Sequence, residues 1–167
     1  GWAFLNEPIE DAWGRSASML RVIAEHAGER GVRLVLEALQ PVESMIVNSA
    51  ADTKRMIEAV DHPALKACLD LGAMAVAGDT IDDYFDLLGD DVAHVHFVDV
   101  AADGTTHLAW GDGERDMRAD LEALMRHGYT GYVSAETCDG RYYQDPSKAT
   151  TQVIEMYRRV TAEMEAE

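Results

Sequence analysis

The sequence is poor in cysteine and in basic residues, and it has no long apolar run. Its two cysteines, Cys68 and Cys138, stand in unrelated contexts with no CxxC pair and no disulfide framework. That usage fits a reducing compartment and a cytoplasmic location. Lysine and arginine total 14 against 31 acidic residues, a formal net charge of −17. Such an acidic chain repels a phosphate backbone, so no nucleic-acid partner is expected. No stretch approaches the ~18 apolar residues of a membrane helix, so no membrane partner is expected, and no basic segment followed by an apolar one opens the chain. The chain begins abruptly in GWAFLNEP, at Gly1 rather than methionine, so a preceding portion is expected.

What is present is an alternation of short aliphatic runs with helical patterns. At 167 residues, 47% of them hydrophobic, the chain has enough apolar surface for one domain with a sizeable core. Asn6-Glu7-Pro8 marks a helix start, with Ile9, Trp13, Leu20, Ile23, Ala24 and Ala27 at helical spacing and Gly31 as a stop. VRLVLE then reads as a strand ending at Glu37. Asp52 is the expected cap of the next helix, which carries Met56, Ile57 and Val60. Leu65–Leu69 is a second strand, ending at Asp70; Asp79 or Thr80 caps a helix stopped by Gly89. Val92–Val98 is a third strand, with His96 near its end, and a helix with Met117, Leu121 and Leu124 follows. Tyr132–Ala135 is a fourth strand, ending at Glu136, and Asp145-Pro146 opens the last helix. Unbroken alternation predicts parallel βα units with right-handed crossovers, and the strands are expected to be apolar on both faces. Four such units are half of an eight-stranded β/α barrel, which needs about 250 residues. Residues 1–167 are therefore expected to be the C-terminal half of a single barrel domain.

Glu37, Asp70, His96 and Glu136 each stand near the C-terminal end of a successive strand. Parallel strands bring those ends to one rim, where barrel enzymes hold their active sites. Three carboxylates crowded together resist joint ionisation, and a divalent cation resolves the repulsion. One imidazole with three carboxylates suits Mn²⁺ first, with Mg²⁺, Co²⁺ and Zn²⁺ as alternatives. For any one of the four, the plain alternative is a solvated strand end or a helix cap.

The segments VLEALQPVES, CLDLGAM, HVHFVD, HLAWGDGE and GYTGYVSAE together resemble the xylose-isomerase-like barrel superfamily of sugar isomerases and epimerases, in particular its D-tagatose 3-epimerase group and the fructoselysine 3-epimerase branch. The resemblance runs from about Ala17 to Pro146. It implies that Glu37, Asp70, His96 and Glu136 bind a divalent metal and that Glu43 contacts substrate. It also implies that Glu37 and Glu136 form an acid/base pair, moving a proton beside a ketose carbonyl through an enediolate held by the metal. Ketohexose epimerases usually carry histidine where this chain has Ala73 and arginine where it has Ala102, and Met45 stands where the fructoselysine-like branch tends to have asparagine. A substrate other than free D-tagatose or D-psicose is the expectation.

His107 and Trp110, in the loop after the third strand, are candidates to line the substrate pocket, with an ordinary surface loop as the alternative. His94 shares a face with His96 but lies about 6.6 Å deeper, which makes it a support beneath the site rather than a ligand. Asp99 points off that face and is expected to anchor the loop that follows. Trp2 is expected to pack against apolar neighbours, and Arg141 and Tyr142 either reach a substrate anion or belong to a plain loop. The implied partners are a small sugar and either a second copy of the chain or a missing N-terminal half-barrel. Two other functions remain open: dehydration of a cyclic inosose on the same fold, and non-catalytic binding of a metal or sugar.

Overall fold

The computed structural model describes residues 1–166. Four strands pair in parallel in the order β1 (Leu34–Glu37), β2 (Leu65–Asp70), β3 (Val92–His96), β4 (Val133–Ser134). Helices connect them: α1 (Ile9–Gly28) precedes β1, α2 (Ala50–Val60) follows it, and α3 (Leu71–Ala77) and α4 (Ile81–Leu88) follow β2. After β3 comes a long loop and α5 (Met117–Arg126), and α6 (Pro146–Glu165) closes the described chain.

Helix starts are set by side chains that accept orphan backbone N–H groups. Thr80 and Asp83 form a reciprocal capping box on α4. Asp79 instead accepts the N–H of Ala50 at 2.7 Å, tying the start of α2 to the segment before α4. The cap of α2 is Ser49, not the expected Asp52, which sits a turn later and accepts from Asn48 N. Helix α3 was not expected: LGAMAVA is too short to show a helical period, and its start depends on Asp70 accepting from Ala73 N.

The two faces of the sheet differ, against the expectation that both are apolar. Leu36, Leu69, Val95 and Phe97 face the helices and are buried or partly buried there. The opposite parity carries Val35 and Glu37, Lys66, Cys68 and Asp70, and His94 and His96, so the concave face is polar toward its upper end. Polar groups are tolerated on that face because they meet one another and solvent rather than hydrocarbon. One core cluster joins α1, α2 and β1 through Trp13, Met56 and Val60; a larger one lies under α4, α5 and α6 around Tyr84, Leu69, Trp110 and Met117.

Trp110 belongs to that core and does not line a substrate pocket. It is 0% exposed, its ring packs at a tilt against Phe97 with centroids 4.6 Å apart, and its indole N–H donates to the Phe97 carbonyl at 2.9 Å. Burying an indole of roughly 200 Å² is worth about 5 kcal/mol, which draws this part of the loop inward. Trp2 departs in the other direction and is 55% exposed. Tyr142 is buried and structural: its hydroxyl accepts from Ala109 N and donates to Asp112 Oδ2, while Arg141 folds back on Asp139.

Candidate metal centre

The strand register staggers the four candidate ligands. Asp70 is level with His96, but Glu37 is paired with Cys68 and His96 with Ser134. Glu37 thus starts two residues low and Glu136 two residues high. The tilt and curvature of the parallel sheet bring them together all the same. One ligand atom from each of Glu37, Asp70, His96 and Glu136 lies within 4.8 Å of every other.

His96 Nδ1 is the hub, 2.9 Å from Glu37 Oε1, 2.8 Å from Glu136 Oε2 and 3.5 Å from Asp70 Oδ2. The Asp70 carboxylate beside the ring, with Cys68 and Glu37 adding to it, pushes the His96 pKa up to about 12. Without another cation, the ring itself supplies the positive charge that the carboxylates require. Burial pushes the Glu136 carboxyl up, and burial pushes the Cys68 thiol up. His94 stands edge-on to His96 with centroids 5.3 Å apart and bonds Ser134 Oγ at 2.8 Å, one layer below the hub. Burial lowers its pKa, as it does for a ring with no carboxylate partner of its own.

Two oxygens are left over. Asp70 Oδ1 is taken by Ala73 N at 2.6 Å, but Asp70 Oδ2 and Glu136 Oε2 are buried and, although both lie near His96 Nδ1, neither receives an aligned hydrogen bond. Orphaned buried carboxylate oxygens are costly, and both point into the cluster. A divalent cation held by Glu37, Asp70, His96 and Glu136 would satisfy them, and the mixture of carboxylate oxygen and imidazole nitrogen fits such an ion.

The other candidates divide. His107 reaches the cluster, with Nε2 3.6 Å from Asp70 Oδ2 and 3.7 Å from Glu136 Oε2. Its backbone φ is +57°, a left-handed conformation that costs a histidine about 1–2 kcal/mol and that the surrounding loop enforces. Glu43 is exposed on the turn after β1 and accepts from Gln40 N at 3.2 Å. Burial raises the Cys138 thiol first, with the charges of Glu136, Asp70 and Glu43 adding to it. Ala73 is buried, and Met45 is 47% exposed on the segment after Glu43.

Asp99 anchors the loop that carries His107. Buried to 1% exposure, its carboxylate accepts the backbone N–H groups of Val100, Gly111, Gly113 and Arg115 at 2.8–3.0 Å. Gln40 and Thr106 were not singled out in the sequence. Gln40 Nε2 donates to Thr106 Oγ1 at 2.8 Å, bridging the loops after β1 and β3. Only an expectation that both loops meet over the rim points to this pair.

A family model described as the xylose isomerase-like TIM barrel matches residues 1–160. The chain is 33% identical over 158 residues to the fructoselysine 3-epimerase of Escherichia coli O157:H7, covering 95% of this chain and 57% of that protein. It therefore spans little more than half the length of that curated relative. Among solved structures, 3-keto-D-glucoside 4-epimerase from E. coli superposes with a TM-score of 0.76 at 23% identity, over 93% of this chain and 57% of that one. The IOLI protein, solved with a binding zinc atom, superposes with a TM-score of 0.76 at 21% identity, over 95% and 59% of the two chains. At these identities the two structures speak to the fold alone.

Proposed function

Since the chain belongs to the xylose isomerase-like TIM barrel family, we propose that it supplies the metal-binding rim of a sugar epimerase or isomerase acting on a ketose or ketose derivative. The observation that carries this reading is the convergence of Glu37, Asp70, His96 and Glu136, ligand atoms within 4.8 Å, around two orphaned carboxylate oxygens. The four residues hold a divalent cation, with Mn²⁺ the first choice and Mg²⁺, Co²⁺ or Zn²⁺ able to substitute. The ion supplies Lewis acidity, polarising a bound carbonyl and acidifying the neighbouring C–H.

The chain's own residues do the proton work. Glu37 comes from one edge strand, β1, and Glu136 from the end of the other, β4, so they flank the site from its two edges. One removes the proton beside the carbonyl, and the other delivers a proton to the opposite face, inverting that carbon. Asp70, tied to Ala73 N, keeps its free oxygen aimed into the site. His107 lines the substrate side, and Glu43, farther out on the rim, binds the distal part of the substrate. Residues 1–167 act as the C-terminal half of one barrel domain, completed by further βα units or by a second copy, in the cytoplasm. No helix among the described residues is long and apolar enough to cross a membrane, and Cys68 and Cys138 are both free thiols.

The name of the fructoselysine 3-epimerase relative supports a 3-epimerase of a derivatised ketose. The test is deuterium uptake from solvent at the carbon beside the carbonyl, using the full-length protein with Mn²⁺ and a panel of ketoses and sugar–amine adducts. Uptake with formation of an epimer supports the reading, and no uptake across the panel sinks it. Loss of water with enone absorbance, and no epimer, replaces it by a dehydratase.

A further inference from the structure

Gln40, Thr106 and His107 form a chain of hydrogen bonds at the mouth of the site. Gln40 Nε2 donates to Thr106 Oγ1 at 2.8 Å, and Thr106 Oγ1 lies 2.8 Å from His107 Nδ1. With the Gln40 amide donating to it, the Thr106 hydroxyl keeps its own proton available for Nδ1, and the carboxylate oxygens facing Nε2 favour that direction. In the neutral ring this leaves the proton on Nε2. Nε2 is the nitrogen that faces the site, 3.6 Å from Asp70 Oδ2 and 3.7 Å from Glu136 Oε2. Those are the two buried carboxylate oxygens that lack a hydrogen-bond partner among the described residues.

The arrangement is braced from three directions. His107 is held at φ +57°, which an unconstrained histidine rarely adopts. A Cβ on Gly72 would lie 3.0 Å from Thr106 Cβ and 3.5 Å from His107 Cε1, so the start of α3 packs directly under the pair. Leu108, the next residue, is bridged to Asp99, whose carboxylate gathers the rest of the loop.

We propose that Gln40 and Thr106 are positioning residues that hold His107 as an Nε2–H donor toward a substrate oxygen seated between Asp70 and Glu136. The proposal rests on the reading of this site as a sugar epimerase or isomerase centre. Held this way, His107 is not a metal ligand, because its only lone pair is on Nδ1 and is engaged by Thr106. A fixed donor at that place stabilises negative charge developing on the substrate oxygen as the adjacent carbon loses its proton, with no reorganisation during the reaction. Gln40 adds a dependence of the β3 loop on the β1 loop, which also carries Glu43.

The experiment is nitrogen NMR of ¹⁵N-histidine-labelled full-length protein, loaded with diamagnetic Zn²⁺ at about pH 8, with His107 identified by its loss in His107→Gln. The expected spectrum is an Nε2–H ring with an unprotonated Nδ1. An Nδ1–H ring or an imidazolium overturns the proposal. In the same protein, Thr106→Val is expected to lower kcat/KM about tenfold, mainly through kcat, with metal stoichiometry unchanged. Thr106→Ser is expected to restore both the rate and the ring state. Wild-type kcat in Thr106→Val overturns the proposal; if that variant does not fold, Gln40→Leu takes its place under the same criteria. The ring state is read without turnover, so a protein that exchanges no sugar proton defeats the functional reading and the donor role while leaving the His107 tautomer independently determined.

Discussion

Asp99 and Gly113 are fitted to each other without room for a side chain. The carboxylate of Asp99 accepts the Gly113 N–H at 2.9 Å, and a Cβ on Gly113 would lie 2.6 Å from Asp99 Cγ and 2.6 Å from the Val100 carbonyl oxygen. The contact is one of four by which the Asp99 carboxylate gathers the backbone of the loop that presents His107. Because backbone closes one side of the gap, Gly113→Ala has no flexible neighbour to displace. It is expected to cost about 3 kcal/mol, a fall of roughly 8 °C in the melting temperature. Calorimetry on the full-length protein checks it, and an unchanged midpoint contradicts the fit.

Asp70 gives one oxygen to the start of α3 and turns the other toward the candidate ligand cluster. Asp70→Asn keeps an acceptor for Ala73 N, now at 2.6 Å from Oδ1, and replaces the free Oδ2 by an amide nitrogen. The fold is expected to survive, with unchanged circular dichroism, while affinity for a divalent metal drops at least about a hundredfold. Metal analysis after dialysis against a fixed free-ion concentration reads the second number.

Removal of metal is expected to abolish proton exchange and to lower thermal stability, because the cation binds only the folded arrangement of four strand ends. Returning Mn²⁺ at about a hundred times its dissociation constant restores about 2.7 kcal/mol. A melting temperature that ignores both chelator and Mn²⁺ argues against a site at this rim.

Glu37→Gln and Glu136→Gln are expected to lower epimerisation by about a thousandfold each, but not in the same way. If the two carboxylates serve opposite faces, each variant retains solvent exchange starting from one epimer and loses it from the other. Separate exchange measurements on the two purified epimers decide this; identical losses from both epimers remove the two-sided assignment.

Asp112 gives a pH signature away from the site. The Tyr142 hydroxyl bonded to its carboxylate at 2.6 Å, with Gln152 on the other oxygen, holds its pKa below the usual aspartate value. A depressed folded pKa contributes stability above the unfolded value, and that contribution disappears as pH falls through the folded pKa. Asp112→Asn is therefore expected to melt lower than the parent at neutral pH, and the gap is expected to close below about pH 4. Melting curves of the two proteins across that range are the measurement.

Much of the site could be read from single residues, and the misreadings have physical causes. His96 and the three carboxylates stand out because polar groups at the ends of apolar runs need partners. The concave face was misjudged because Lys66, Cys68 and His94 are spaced among aliphatic neighbours, and a run such as LKACLD reads as apolar until its parity is separated. A loop aromatic such as Trp110 reads equally as a pocket wall or as part of a surface loop, and it is neither, because it is fully buried in the core. Its direction depends on Phe97, thirteen positions earlier in the chain. Gln40 and Thr106 are 66 residues apart, and no local pattern pairs them.

By itself the sequence determined the alternation of strands and helices and the candidate ligand types, because these follow from hydrophobic period, turn residues and donor chemistry close along the chain, while the family was carried by the resemblance of whole segments. The tertiary structure decided how the ligands meet. Register pairs Glu37 with Cys68 rather than with Asp70, and only the tilt and curvature of the parallel sheet gather all four groups within 4.8 Å. It also decided which loop residues face inward, since that depends on contacts between loops that no periodicity encodes.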